Sequence, residues 1–303
     1  MSTSSFGSNP VPRISRRTVR EPRMGAEDSK QGTERSGVTE VRIRSRASYG
    51  DGPARIAGPT RPTRPTRRAE RITPIADERG CVTTGTTDPS ELYVVRNEVD
   101  PDCEYHCDAL AAAFPDAEEI DFVAGERVPL DEADGVVLTG STAAVYEAER
   151  RPWIAEQEAL VRELVEREIP TLGVCFGHQV INAALGGSVE AVGTTAALVE
   201  ATLDDDPLFE GVDPVVVSLH GDAVTDLGEG MEVIASAPHA RVFGTRHRTA
   251  PLWTVQFHPE ITAAHRDRLV EDFDWESDGH SFEDVSAGRV LENFRALTRR
   301  AEA

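Results

Sequence analysis

The stretch Gly173-Val174-Cys175-Phe176-Gly177-His178-Gln179 constrains this chain more than any other. It follows an apolar run at residues 171–174 and opens a run that reads as a helix over 176–185, closed by Gly186-Gly187. A strand that becomes a helix within one residue must turn sharply, which strains the residue at the apex. Glycines two places to either side relieve the crowding there. The apex thiol then stands over a sheet edge at a helix N-terminus, where the positive end of the dipole favours thiolate. For this motif taken alone, a buried structural cysteine between two packing glycines is the alternative.

Around that turn the apolar pattern alternates between strand and helix. Residues 92–95, 120–123 and 136–138 are short apolar runs of strand length. Residues 105–114 read as a helix with Leu110, Ala113 and Phe114 on one face. A longer helix begins at Pro152, a residue suited to a first turn, and carries Ile154, Leu160, Val161, Leu164 and Val165 at helical spacing. The second half is richer in strands, at 197–203, 215–218, 232–235 and 253–257, and ends in helices around 259–273 and 286–301. This order predicts an α/β domain over residues 91–303, with an open, mainly parallel central sheet flanked by helices.

Residues 1–90 differ in kind. Arg, Ser, Thr, Gly and Pro dominate, and Arg61-Pro62-Thr63-Arg64-Pro65-Thr66-Arg67-Arg68 is low-complexity. Such a segment cannot bury enough apolar area to offset its ordering entropy, so a disordered basic extension is expected. A basic arm for nucleic acid or an acidic partner, and a start assigned too far upstream, are the alternatives. The charge changes sign along the chain: up to residue 80, 17 basic residues face 9 acidic ones, and beyond it 15 face 44. Lys30 is the only lysine. An acidic, lysine-poor surface resembles those of salt-loving archaea, where salt screens the self-repulsion; an acidic mesophile domain is the alternative. It argues against direct nucleic-acid binding. No apolar run is long enough to span a membrane and no apolar leader is visible, so a cytoplasmic protein is expected. Cys103-Glu104-Tyr105-His106-Cys107 has no second ligand pair at zinc-site spacing and reads as the start of an ordinary helix, with no metal expected.

A second stretch answers the first. In Trp253-Thr254-Val255-Gln256-Phe257-His258-Pro259-Glu260, Val255 and Phe257 would face the core while the strand delivers His258 to its end. His258 can take a proton from the thiol and return it to a leaving group. Glu260, two residues on, can orient the imidazole and stabilise its cation. A lone histidine before proline means little; downstream of the strained cysteine it gains a partner.

Together the two stretches resemble the signature motifs of class I, triad-type glutamine amidotransferases, in their GMP-synthase-like branch. The resemblance runs from about Leu92 to Phe294. It implies a flavodoxin-like sheet and hydrolysis of L-glutamine to glutamate and ammonia through a thioester on Cys175, with His258 and Glu260 as partners and no metal or organic cofactor. Leu138-Thr139-Gly140-Ser141-Thr142-Ala143-Ala144-Val145-Tyr146-Glu147 is similar to the oxyanion loop of that branch, where Ser-Gly-Gly-Pro precedes a Val-Tyr pair. The resemblance implies that the backbone N–H groups of Ser141 and Phe176 hold the oxyanion, with Gly140 lining the site. Ser141 replaces the second glycine and Thr142 the proline. Ser218-Leu219-His220-Gly221-Asp222-Ala223-Val224 is similar to a Ser-His-Gly-Asp stretch, with an additional leucine. It implies that His220 and Asp222, together with Gln179 of the elbow helix, line the glutamine pocket; a solvated turn is the alternative for His220 and Asp222. His178 takes a packing or hydrogen-bonding role. The remaining histidines, His106 and His239 among them, have no catalytic spacing, and Asp204-Asp205-Asp206 reads as a solvated acidic turn.

Such enzymes pass ammonia to a synthase. Neither a pyrophosphatase-type Ser-Gly-Gly-x-Asp-Ser loop nor a Gly-x4-Gly-Lys-[Ser/Thr] loop follows the triad region. A separate synthase subunit is therefore the expected partner. A stand-alone hydrolase of glutamine or γ-glutamyl compounds, and a non-catalytic regulatory protein with a relic triad, are the alternatives.

Overall fold

A computed structural model of the chain describes residues 91–273, 275 and 279–301. The basic extension expected at 1–90 lies outside them. Strands β1 (Leu92–Arg96), β2 (Glu118–Asp121), β3 (Gly135–Leu138) and β4 (Thr171–Val174) are followed, after a long interval, by β10 (Leu252–Val255). These five pair in parallel in the order β2-β1-β3-β4-β10. The sheet continues antiparallel through β9 (Ala240–His247), β8 (Met231–Ala237) and β6 (Thr202–Leu203), giving eight strands. The fold is thus the mixed α/β type with a mostly parallel central sheet.

Both faces of the parallel strands are covered, which is why they are apolar without alternation. On β1, Leu92 and Val94 point into one core layer with Leu110, Phe114, Val290 and Phe294. Tyr93 and Val95 point into the other with Ile154, Val161, Val180 and Ile181. Helices α1 (Tyr105–Ala112) and α5 (Arg289–Ala301) therefore cover one face, and α2 (Pro152–Glu166) and α3 (Phe176–Ala184) the other. A short helix, α4 (Arg266–Phe273), packs Leu269 with Ile261 and Trp275 in a third apolar cluster. No helix among the described residues is long and apolar enough to cross a membrane.

The second half departs from several expectations. Strand β5 runs over Ser188–Glu200 and β7 over Val215–Asp226, and the two pair antiparallel as a separate two-stranded sheet. His220 and Asp222 therefore lie within a strand, opposite Thr195 and Ala191, and not in a solvated turn. Strand β9 has no counterpart among the expected strands, and β2 sits two residues earlier than its apolar run. Residues 259–265 are not α-helical: a 3-10 turn at Ala263–His265 precedes α4. Asp206 is buried, accepts from the Leu208 N–H and meets Arg246 at 3.1 Å, so this end of the acidic triplet is not solvated.

Candidate active site

The parallel strands all end at one edge, and that edge carries the chemistry-bearing residues, as expected for an open α/β sheet. From β1 the chain passes to Asn97 and Glu98; from β3 to Thr139, Gly140 and Ser141; from β4 to Cys175; from β10 to Gln256, His258 and Glu260. Cys175 sits between β4 and α3 with φ 52° and ψ −104°, the strained apex that its flanking glycines predict. The reason those neighbours must be glycine is visible. A Cβ on Gly177 would lie 2.5 Å from the Leu138 carbonyl oxygen, and one on Gly173 2.6 Å from the Gly177 backbone. The Cys175 N–H is tied to the Val255 carbonyl at 2.9 Å, which fixes the turn against β10.

Val255 and Phe257 are fully buried, and the strand end carries His258 and Glu260 to the same edge. The His258 N–H bonds the Val217 carbonyl at 2.9 Å, so β7 anchors it from the other side. His258 Nδ1 donates to Glu260 Oε1 at 2.6 Å, and its Nε2 donates to the Leu219 carbonyl oxygen at 3.2 Å. The Cys175 thiol faces the same carbonyl at 3.7 Å. Sulfur, imidazole and carboxylate are thus brought together, with one backbone oxygen shared by the first two. Since a carboxylate and a carbonyl both only accept, this arrangement favours hydrogen on both ring nitrogens, the imidazolium form. The electrostatics agree. Burial disfavours that cation, but the Glu260 carboxylate and then the Cys175 sulfur hold the His258 pKa well above its ordinary value.

Gln179 is buried and gives its Nε2 hydrogens to the Asp222 carbonyl at 3.0 Å and to Gln256 Oε1 at 3.2 Å. Gln256 in turn aims Nε2 at the Cys175 sulfur, 3.6 Å away. Its place in the second motif is plain from the sequence; its contact with the nucleophile is not. The Asp222 carboxylate accepts from the Tyr146 hydroxyl at 3.0 Å, joining the loop after β3 to β7. Burial raises the Asp222 pKa despite that bond. The imidazole of His220 turns to His239, at 3.1 Å between the Nε2 atoms, and to Phe243. Its Nδ1 donates to the Asp222 carbonyl at 2.9 Å, and burial pushes its pKa down to about 4. The His220 side chain is thus committed to His239, Phe243 and the Asp222 backbone. His178 is fully buried, bonded through Nδ1 to Thr254 at 2.6 Å, and burial lowers its pKa to about 3, so it packs as a neutral ring.

The loop after β3 presents Gly140 and Ser141. The Ser141 N–H has no acceptor among the described residues, and Phe176 opens α3, where the first N–H groups lack intrahelical acceptors. A Cβ on Gly140 would stand 3.3 Å from a ring carbon of His106 and 3.4 Å from one of His258, so the two imidazoles flank it. His106 and its partner Glu98 carry no signal of their own in the sequence.

A family model described as "Glutamine amidotransferase class-I" matches residues 103–276, more than half of the chain. The GMP synthase [glutamine-hydrolyzing] of Lactobacillus delbrueckii subsp. bulgaricus is 32% identical over 146 residues, covering 46% of this chain and 26% of that protein. The chain thus spans about a quarter of the length of the curated relatives it matches. Among solved structures, a candidate GMP synthase subunit from Thermoplasma acidophilum superposes with a TM-score of 0.54 at 22% identity, covering 70% of this chain and 96% of that one. A glutamine amidotransferase of Thermotoga maritima gives 0.52 at 22% identity over 69% and 94%.

Proposed function

Because the chain belongs to the class I glutamine amidotransferase family, we propose that it hydrolyses the side-chain amide of L-glutamine, with Cys175 as nucleophile and His258 and Glu260 as its partners. The observation that carries this reading is the meeting of three elements at one sheet edge: a thiol on a strained apex, and an imidazole held by a carboxylate at 2.6 Å beside the same backbone carbonyl.

In the reaction the sulfur of Cys175, as the thiolate whose proton His258 holds, attacks the amide carbon and a C–S bond forms. The amide oxygen takes the negative charge and accepts from the N–H groups of Ser141 and Phe176. His258 exchanges its bond to the Leu219 carbonyl for one to the departing nitrogen, gives it a proton, and ammonia leaves as the C–N bond breaks. A water then loses a proton to His258 and attacks the thioester. The C–S bond breaks and glutamate leaves, its carboxyl proton passing to solvent, which restores the thiolate beside the imidazolium of His258. Gln179, the backbone near His220, and Asp222 supply the polar lining for the amino-acid end of the substrate.

Ammonia then serves a separate synthase subunit in this reading. Its support is the subunit designation of the Thermoplasma acidophilum relative. Glutamate release from L-glutamine in molar-range salt, compared with Cys175→Ala, tests the hydrolysis. Loss of release in the variant supports it, and equal release by both proteins overturns it. Pull-down in native salt tests the partner: a co-purifying synthase whose product depends on glutamine supports it, and its absence favours a stand-alone hydrolase.

A further inference from the structure

A second carboxylate–imidazole pair lies behind the loop that follows β3, and the reaction above does not consume it. Glu98, two residues past β1, has a side chain only 1% exposed, and its Oε2 accepts from His106 Nε2 at 2.7 Å. The same carboxylate accepts from the N–H of Val99 at 2.8 Å and of Asp100 at 2.9 Å, which fixes its own turn. It also accepts from the N–H of Thr142 at 3.0 Å and from the Thr142 hydroxyl, 44 residues away in sequence. The next N–H, of Ala143, is taken by Ser141 Oγ at 3.0 Å. The loop is thereby pinned just after Ser141, whose own N–H is left without an acceptor among the described residues. On the other side His106 stands edge-on to His258, with ring centroids 6.0 Å apart at 74°, and Gly140 sits between them.

We propose that Glu98 and His106 are positioning residues for amide hydrolysis: they hold the Gly140–Thr142 segment so that the Ser141 N–H faces the developing oxyanion, and they back the ring of His258. The inference rests on the glutaminase reading above. A buried carboxylate with this many donors is costly to place beside an active site unless the geometry it imposes is used. The replacement of glycine and proline by Ser141 and Thr142 gives the loop the side chains through which this clamp works: Thr142 supplies the hydroxyl that Glu98 accepts, and Ser141 the oxygen that holds Ala143. Charge supports the geometry. Burial raises the Glu98 pKa, but hydrogen bonds from His106, Thr142 and the Asp100 N–H hold it below its ordinary value. Burial opposes a charged His106, yet the Cys107 sulfur and Glu98 bring its pKa up to about 10. Both shifts favour the ionised form of the pair, whose imidazole lies toward Gly140.

The test uses the full chain with His106→Ala, His106→Gln and Glu98→Gln. For each variant it measures kcat and KM for glutamate release, the rate of iodoacetamide alkylation at Cys175, and Tm. Misplacing one oxyanion donor costs on the order of a hundredfold in rate. The expected result is that His106→Ala and Glu98→Gln lower kcat by about 10- to 100-fold, with KM and alkylation within about threefold of wild type. His106→Gln, whose amide can still donate to Glu98, regains most of the loss. Wild-type kcat in His106→Ala and Glu98→Gln overturns the inference while leaving the glutaminase reading intact. A joint fall of kcat, alkylation and Tm that His106→Gln does not rescue overturns it too, because a merely structural role would do that. A wild-type protein with no Cys175-dependent glutamate release removes the glutaminase reading, and this inference with it, before any variant is compared.

Discussion

At the scale of single residues, the proposed hydrolysis depends on which protons sit where. The Glu260 carboxylate is the first favourable contribution to the charged state of His258. Glu260→Gln should therefore let the imidazolium lose its proton at lower pH than in wild type, read by NMR titration of the ring, and should lower kcat by roughly a hundredfold or more. A second residue-scale prediction concerns the Glu98–His106 pair. Glu98, with its lowered pKa, contributes stability that is present above its ordinary value of 4.5 and lost as pH falls through the folded value. His106, with its raised pKa, contributes stability that is complete below its ordinary 6.5 and lost as pH rises toward about 10. Glu98→Gln should cost most stability between these limits and least at either extreme, measured by denaturant unfolding across pH. That Cys175, His258 and Glu260 belong to one candidate site was legible in the sequence, because they lie in two compact local motifs. Glu98, His106 and the contact of Gln256 with the sulfur were not, because long-range contacts give these residues their meaning. Nothing near Glu98 in sequence announces Thr142.

At the scale of elements, the parallel half of the sheet was legible and the antiparallel half less so. Strands β1, β3 and β4 are covered on both faces and read as unbroken apolar runs. Strand β5 is mostly exposed or half-buried along its length and bends at a register shift between Ala191 and Thr195, so it shows no period. Strand β7 carries the polar His220-Gly221-Asp222 that elsewhere would mark a turn; pairing with β5 overrides that local signal. The expected helix at 259–273 starts late because His258, Pro259 and Glu260 are committed to the site at the end of β10. The elbow, by contrast, depends on close backbone approach. Gly177→Ala puts a methyl 2.5 Å from the Leu138 carbonyl oxygen and should destabilise the fold by about 1–3 kcal/mol in chemical denaturation. It should also lower activity by shifting Cys175, whereas an effect on stability below measurement would contradict the packing described for α3 against β3.

At the scale of the whole molecule, charge is the dominant property. The chain has a formal net charge of −21, and beyond residue 80 its acidic residues outnumber basic ones by 44 to 15. Ion pairs such as Arg96 with Glu104, Asp108 and Glu119 are partly solvent-exposed and contribute little each. Self-repulsion should therefore limit stability at low ionic strength. Raising NaCl from about 0.1 M to about 2 M should raise Tm; a Tm that falls would show that the acidic surface is not the limiting term. The proposed chemistry takes place at one atom, the Cys175 sulfur, and the most direct measurement is of that atom. Acid quench of the protein during turnover with L-glutamine, followed by intact and peptide mass spectrometry, should find one γ-glutamyl group on Cys175, absent in Cys175→Ala and formed far more slowly when His258 is replaced by a side chain that cannot protonate the departing nitrogen. Turnover with no acyl group on Cys175 at any time point, or an acyl group on another residue, would contradict it.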